Sequence, residues 1–177
     1  MNLPRIIKDY KIYLKEEDIL NRIQDRIRWP KKYPWGQPSI EVVKKDGLKH
    51  QNFFDEDGYV NSNECIKNYE SGQTLVMSDI GYINTNTSFI QKLLNETYNK
   101  KINCNFYFGK GGKKVSFKKH SHPYAVIVKN IYGDSTWIIN KKKYNLNNQN
   151  VFVIDKNIDH EVVSIETPKL SMTINLE

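Results

Sequence analysis

Apolar residues recur at helical spacing in the first hundred positions and in short, strand-like runs after them. Over 16–28, Ile19, Leu20, Ile23 and Ile27 share one helical face. Glu16, Glu17 and Asp18 occupy the first turn, where the helix dipole favours anions, and Pro30 ends the helix. A second helix is predicted over 87–98, with Phe89, Ile90, Leu93, Leu94 and Tyr98 on one face and Thr87 or Ser88 as its cap. A shorter one is predicted over 62–70, capped by Ser62. Between them, 39–44 and 73–77 read as strands and 45–62 as loop. Beyond residue 100 the pattern predicts strands at 103–109, 115–119, 124–132, 135–140, 150–155, 160–165 and 169–176. Gly133-Asp134 marks a tight turn, and Lys141–Lys143 with Asn145–Asn150 a further loop. Helices followed by a meander of short strands suggest a helix-decorated β-barrel or sandwich.

Composition narrows the class. The 177 residues include 11 Tyr, 7 Phe and 3 Trp, too much aromatic bulk for a disordered polar chain. The length fits one domain with a real core. No apolar run reaches membrane-spanning length, and the N-terminus has no secretory h-region. Cys65 and Cys104 alone give no disulfide framework, so a reducing, cytoplasmic setting is expected. The connector 29–36 holds Trp29, Tyr33 and Trp35 among prolines; such residues are costly to leave in water, so it is expected to pack on the domain or form a homodimer contact. Lys plus Arg exceed Asp plus Glu by 27 to 20, a formal charge of +7. That excess fits an anionic partner, from nucleic acid to a small carboxylate or phosphate. Lysines cluster at 113–114, 118–119 and 141–143, and the last group reads first as a solvated turn.

The chain has only four histidines, and their positions carry the chemistry. His120-Ser121-His122 lies at a strand entrance, where residues i and i+2 point to one face. His160 opens a strand that a meander folds back beside the first. Three imidazoles then meet on one ion, Fe, Zn, Cu or Ni, and leave positions for substrate or oxygen. An isolated His-x-His is more often a surface or core pair; the third histidine is what favours a metal. His50, in a loop, is read as a bystander. Tyr124, two residues beyond His122, and Trp137 are expected to line the cavity, or else to be ordinary core. Asp159 is read as a turn residue or as a carboxylate orienting a ligand imidazole.

With these residues in place, 105–177 resembles the cupin-type Fe(II)/2-oxoglutarate oxygenases, the JmjC-domain hydroxylases and especially their ribosomal-oxygenase branch. Asn105-Phe106-Tyr107 is similar to that family's Asn-x-Tyr strand, Gly109–Gly112 to its glycine turn, and His120-Ser121-His122 to its metal motif. Val126–Gly133 is similar to the strand and turn that follow, Trp137 to the aromatic after it, and Val151–Val162 to the approach to the distal histidine. Leu170–Leu176 resembles the closing strand. The resemblance implies a mainly β fold with N-terminal helices, a double-stranded β-helix of the jelly-roll, cupin or JmjC-like kind. Residues 73–177 would form the barrel core, with 1–72 packed on it. It implies Fe(II), or another divalent metal, at His120, His122 and His160, and 2-oxoglutarate near Asn105, Tyr107, Ser135 and Thr173.

Two positions depart from the family. His122 stands where the family carries a carboxylate, which leaves the ion's full charge in place and strengthens its hold on an anion. Ser135 stands where that branch carries a lysine for the distal carboxylate of 2-oxoglutarate, and a serine supplies no charge-assisted bond. Tyr107, Asn105, Thr173 or a lysine from another strand would have to replace it. Three functions follow: an Fe(II)/2-oxoglutarate hydroxylase; a three-His cupin dioxygenase or isomerase without 2-oxoglutarate; or a non-catalytic basic module, for which salt-dependent nucleic-acid binding is the mark. The substrate class stays open between a peptide and a small molecule. The last residue follows the closing strand directly, which mildly favours a small one.

Overall fold

A computed structural model describes residues 15–24, 39–44, 47–50, 52–78, 85–99, 102–112 and 117–177. The connector tryptophans Trp29 and Trp35 and the lysines at 113–114 lie outside the described residues. Among the described residues three helices, α1 (Glu16–Gln24), α2 (Ser62–Glu70) and α3 (Thr85–Tyr98), precede or interleave with the early strands β1 (Ser39–Val43), β2 (Lys49–His50) and β3 (Thr74–Ser78). Seven more strands follow: β4 (Ile102–Gly109), β5 (Ala125–Tyr132), β6 (Ser135–Ile139), β7 (Lys142–Leu146), β8 (Val151–Ile154), β9 (His160–Ser164) and β10 (Lys169–Leu176). They form a seven-stranded sheet in the order β2-β1-β3-β4-β10-β5-β8 and a three-stranded sheet in the order β7-β6-β9, with every pairing antiparallel.

Alternation along β4 and β10 divides the large sheet into two unlike faces. Ile102, Cys104, Phe106 and Phe108 point one way with Leu170, Met172, Ile174 and Leu176. They join Ile19 and Ile23 of α1, Cys65 and Tyr69 of α2, and Ile90 and Leu94 of α3 in the main core. The other face carries Asn103, Asn105 and Tyr107 on β4 and Lys169, Ser171, Thr173 and Asn175 on β10, and it lines a cavity. A smaller core of Val126, Val128, Trp137, Leu146 and Ile154 closes the barrel around that cavity. The helices therefore cover the apolar face of the sheet, and the barrel keeps its polar face inside.

Several local expectations are corrected. The cap of α2 is Asn61, whose side chain accepts from the Glu64 amide at 3.2 Å; Ser62 is already helical. Helix α3 begins at Thr85, so Thr87 lies inside it, and Phe89 is half exposed, off the buried face. Residues 117–119 form no strand; the chain there leads to a single bridge between His120 and His160. The segment read as a loop after Lys141 contains strand β7, paired with β6 from Ser135↔Leu146 to Ile139↔Lys142. Its first four residues are exposed and only Leu146 is buried, so no apolar alternation announces it. His50, read as a loop residue, pairs with Val42 in β2.

The Gly133 turn between β5 and β6 sets where β10 begins. Gly133 has φ +72°, and a Cβ there would stand 2.3 Å from the Pro168 carbonyl oxygen and 2.8 Å from Lys169 Cα. Asn130, fully buried, donates to the Gly133 carbonyl at 3.0 Å and to the Leu146 carbonyl at 3.0 Å, tying the turn to β7. Gly133→Ala is expected to lower stability by at least about 2 kcal/mol, since left-handed strain and a backbone clash coincide. A thermal melt within a degree or two of wild type would contradict that.

Candidate metal centre

His120, His122 and His160 come together as the sequence spacing predicts. Each offers a ring nitrogen, and the three nitrogens lie within 4.8 Å of one another. The ring centroids are 4.5 Å apart for His120–His160, 5.0 Å for His120–His122 and 5.2 Å for His122–His160. Backbone pairing holds them there. The His120 amide donates to the His160 carbonyl at 3.0 Å and the His160 amide returns the bond at 2.8 Å; the Asn157 amide donates to the His122 carbonyl at 2.7 Å. No partner strand of regular length is needed, since one reciprocal bridge fixes the two backbones.

Tautomers follow from the partners of the rings. His120 Nδ1–H donates to the Lys118 carbonyl at 2.7 Å, and His160 Nδ1–H donates to the Ile158 carbonyl at 2.8 Å. A carbonyl only accepts, so Nδ1 carries the proton and Nε2 keeps its lone pair for an ion. The orienting role weighed for Asp159 is thus filled by main-chain carbonyls. The Asp159 carboxylate instead pairs with Lys119 at 3.4 Å, in solvent. Burial, then the charges of His120 and His160, push the His122 imidazole down to about 4. Burial also lowers His160, with the His120 charge acting the same way, while its bond to Ile158 and nearby Asp159 pull it up. Neutral rings are the form that binds metal.

The cavity beside the triad encloses about 280 Å³, near the lower end for small-molecule sites. Asn105, Tyr107, Thr173, Tyr124 and Trp137 all line it. Tyr124 stacks on His122 with centroids 5.2 Å apart and planes 8° apart. The Trp137 ring lies 6.3 Å from that of His160.

Ser135 does not reach this cavity. It borders a separate depression with Asp134, Thr136 and Asn145. Its Oγ accepts from Trp137 Nε1 at 2.9 Å and lies 3.3 Å from Asn130 Nδ2, whose two hydrogens go to the Gly133 and Leu146 carbonyls. Its influence on the cavity is therefore indirect, through the orientation of the indole.

Lys169, which no motif singled out, does line the cavity. It is 4% exposed, and its Nζ lies 5.8 Å from the centre of the Trp137 ring. Burial pushes its ammonium down from 10.5 to about 8. The signal was present as the first residue of the closing strand, in step with Ser171, Thr173 and Asn175.

No protein-family model and no curated protein matches the chain. Two solved structures of YcfD, a ribosomal oxygenase from Escherichia coli, align with 96% of this chain, at 12% and 13% identity and TM-scores of 0.61 and 0.63. One is a complex with cobalt and succinic acid. The chain spans 45% of the length of that oxygenase. A cupin protein from Bacteroides fragilis aligns with 43% of this chain and 65% of its own, at 19% identity and a TM-score of 0.39. Among the described residues, no helix is long and apolar enough to cross a membrane. The long YcfD alignments and the strand order agree with the sequence resemblance: this chain folds as a double-stranded β-helix of the cupin/JmjC type.

Proposed function

We propose that the protein is a metal-dependent oxygenase that binds Fe(II) at His120, His122 and His160 and uses 2-oxoglutarate as co-substrate. The observation that carries this reading is the convergence of three imidazole nitrogens, within 4.8 Å of one another, on a cavity with a polar wall. The donor set suits the ion: three imidazole nitrogens, with the tautomer fixed for His120 and His160, and among the described residues no carboxylate in the group. When bound, iron with a 2-oxo acid supplies oxygen activation coupled to oxidative decarboxylation, which hydroxylates a C–H bond. The chain's own groups do the rest. Val126, Val128 and Trp137 give the cavity an apolar, water-excluding side. Asn105 and Tyr107 on β4 and Thr173 on β10, in the same sheet as Val126 and Val128, offer hydrogen bonds to ligand oxygens. The cobalt and succinic acid in YcfD support the reading, because succinate is what 2-oxoglutarate becomes after losing carbon dioxide and gaining one oxygen.

His122 favours a second reading, a three-His cupin dioxygenase or isomerase acting on a chelating small molecule without 2-oxoglutarate. Anaerobic titration of the Fe(II)-loaded protein with 2-oxoglutarate, followed by visible absorbance, separates the two. A saturable charge-transfer band is expected from chelation at the metal; bound iron without a band would favour the second reading. His122→Asp, which introduces the family's carboxylate, is expected to keep one iron per chain. Loss of iron in that variant would mean that the pocket accepts three imidazoles only.

A further inference from the structure

Three turns meet around the triad, and they carry a concentration of lysine. The segment before His120 brings Lys118 and Lys119, the β6–β7 hairpin brings Lys141 and Lys142, and the turn between β8 and β9 brings Lys156; all are exposed. Backbone bonds knit these turns together. The Asn140 amide donates to the Asp159 carbonyl at 2.9 Å, and the Asn157 amide donates to the His122 carbonyl at 2.7 Å. The lysines therefore rim the end of the barrel that holds the triad. Few acids oppose them. Asp159 is paired with Lys119 at 3.4 Å, Asp155 starts the β8–β9 turn, and the half-buried Glu161 alternates with His160 onto the other face of β9. Glu177 lines the cavity. Among the described residues, no carboxylate pairs with Lys118, Lys141, Lys142 or Lys156.

The β6–β7 turn adds an independent sign. Ile139 pairs with Lys142, so Asn140 and Lys141 alone make the turn, with φ +48° and +66°. That hairpin geometry needs left-handed backbone at both positions and favours glycine at the second, where this chain places a lysine. Beyond the turn, Tyr144 stands on the same face of β7 as Lys142, roughly 7 Å along the strand. It is 41% exposed, although it packs edge to face with Phe152 at 5.7 Å. Exposed cations beside an open aromatic ring fit phosphates linked to bases. They fit an extended acidic peptide less well, since lysines along an edge strand such as β7 oppose strand addition. We propose that this lysine rim binds the backbone of a single-stranded nucleic acid, with Tyr144 stacking on one base. The contact goes beyond the metal reading above and does not depend on it.

The test is fluorescence anisotropy of a labelled oligouridylate of roughly 12 nucleotides, titrated in EDTA so that no ion bridges phosphate to the triad. Wild-type affinity is expected to fall with salt, with a log–log slope of about −3 for four or five phosphate contacts. Lys141→Glu/Lys142→Glu is expected to lower affinity by at least about 10-fold and to flatten the slope by about 1.4, the share of two phosphates on a single strand. Lys67→Glu/Lys92→Glu makes the same change in net charge on α2 and α3, outside the barrel, and is expected to lower affinity by less than about 3-fold. Tyr144→Ala is expected to weaken binding about 10-fold with the slope unchanged. Lys141→Gly separates binding from folding: glycine suits the turn, so this variant should melt no lower than wild type and still bind more weakly. No binding by the wild type at low salt, or equal losses from the two double variants, would overturn the proposal. Displacement of the oligouridylate by poly-L-glutamate at equal charge would overturn it too, and would assign the rim to acidic peptides.

Discussion

His120→Ala and His160→Ala are each expected to abolish stoichiometric Fe(II) binding while the fold is retained. Three imidazoles are the whole donor set identified among the described residues, so deleting one leaves two neutral nitrogens for a hydrated dication. Loss of a residue that only orients a ligand costs 10- to 100-fold in metal affinity, and loss of a ligand itself is expected to exceed 100-fold. The fold should survive because the bridge between these residues is made by their backbones, which alanine retains. Each truncation deletes a bond from Nδ1 to a carbonyl, worth about 1 kcal/mol of stability. His50→Ala serves as the control, since β2 lies at the outer edge of the large sheet; it should keep the iron. Metal analysis after dialysis, beside a circular dichroism melt, reads both quantities. Iron retained at one equivalent in both triad variants would remove the site.

Lys169→Met is expected to make the empty protein more stable. Burial holds the lysine at about 8 rather than 10.5, and a shift of that size corresponds to about 3 kcal/mol of penalty for the charged form. Methionine fills a similar volume without the charge. The direction with pH follows from the lowered value. Below about pH 8 the ammonium is protonated in both folded and unfolded chains, so the penalty is full and constant. Between about 8 and 10.5 the unfolded chain holds a proton that the folded chain has lost, so wild-type stability rises with pH. The advantage of Lys169→Met should therefore be largest below pH 8 and shrink towards pH 10.5. Comparing the two proteins at each pH cancels groups common to both, Tyr107 on the neighbouring strand among them. Denaturant melts that show no advantage at pH 7, or one that grows with pH, would contradict this account.

Much of the architecture was legible because strand order and turn chemistry were local. Gly133-Asp134, the run from Val126 and the closing strand at 169–176 all sit where the pattern put them. The triad was legible for a different reason: with four histidines in the chain, a pair at i and i+2 and one opening a later strand leave few arrangements. What escaped was the inward turn of Lys169, although Asn105, Tyr107 and Thr173 on the same polar face were expected beside the ligand. On β10 the apolar residues Leu170, Met172, Ile174 and Leu176 and the polar residues between them alternate plainly, and polar faces ordinarily meet solvent. Here the helices cover the apolar face and the polar face looks into the barrel, so Lys169 reads as a surface residue until the second sheet is in place. Strand β7 escaped because an edge strand with four exposed residues carries no hydrophobic period. Ser135 is located by counting from His120. Counting places a backbone position, but the side chain there turned to Trp137 and Asn130 instead of the cavity.

The most direct measurement is a Co(II) titration of the wild-type chain, followed by visible absorbance, beside the His120→Ala/His160→Ala double variant. Saturation is expected at one ion per chain, with ligand-field bands shifted from those of the hydrated ion by imidazole coordination, and no such bands in the variant. Failure to saturate at one equivalent, or the same spectrum from the double variant, would contradict a metal centre at His120, His122 and His160.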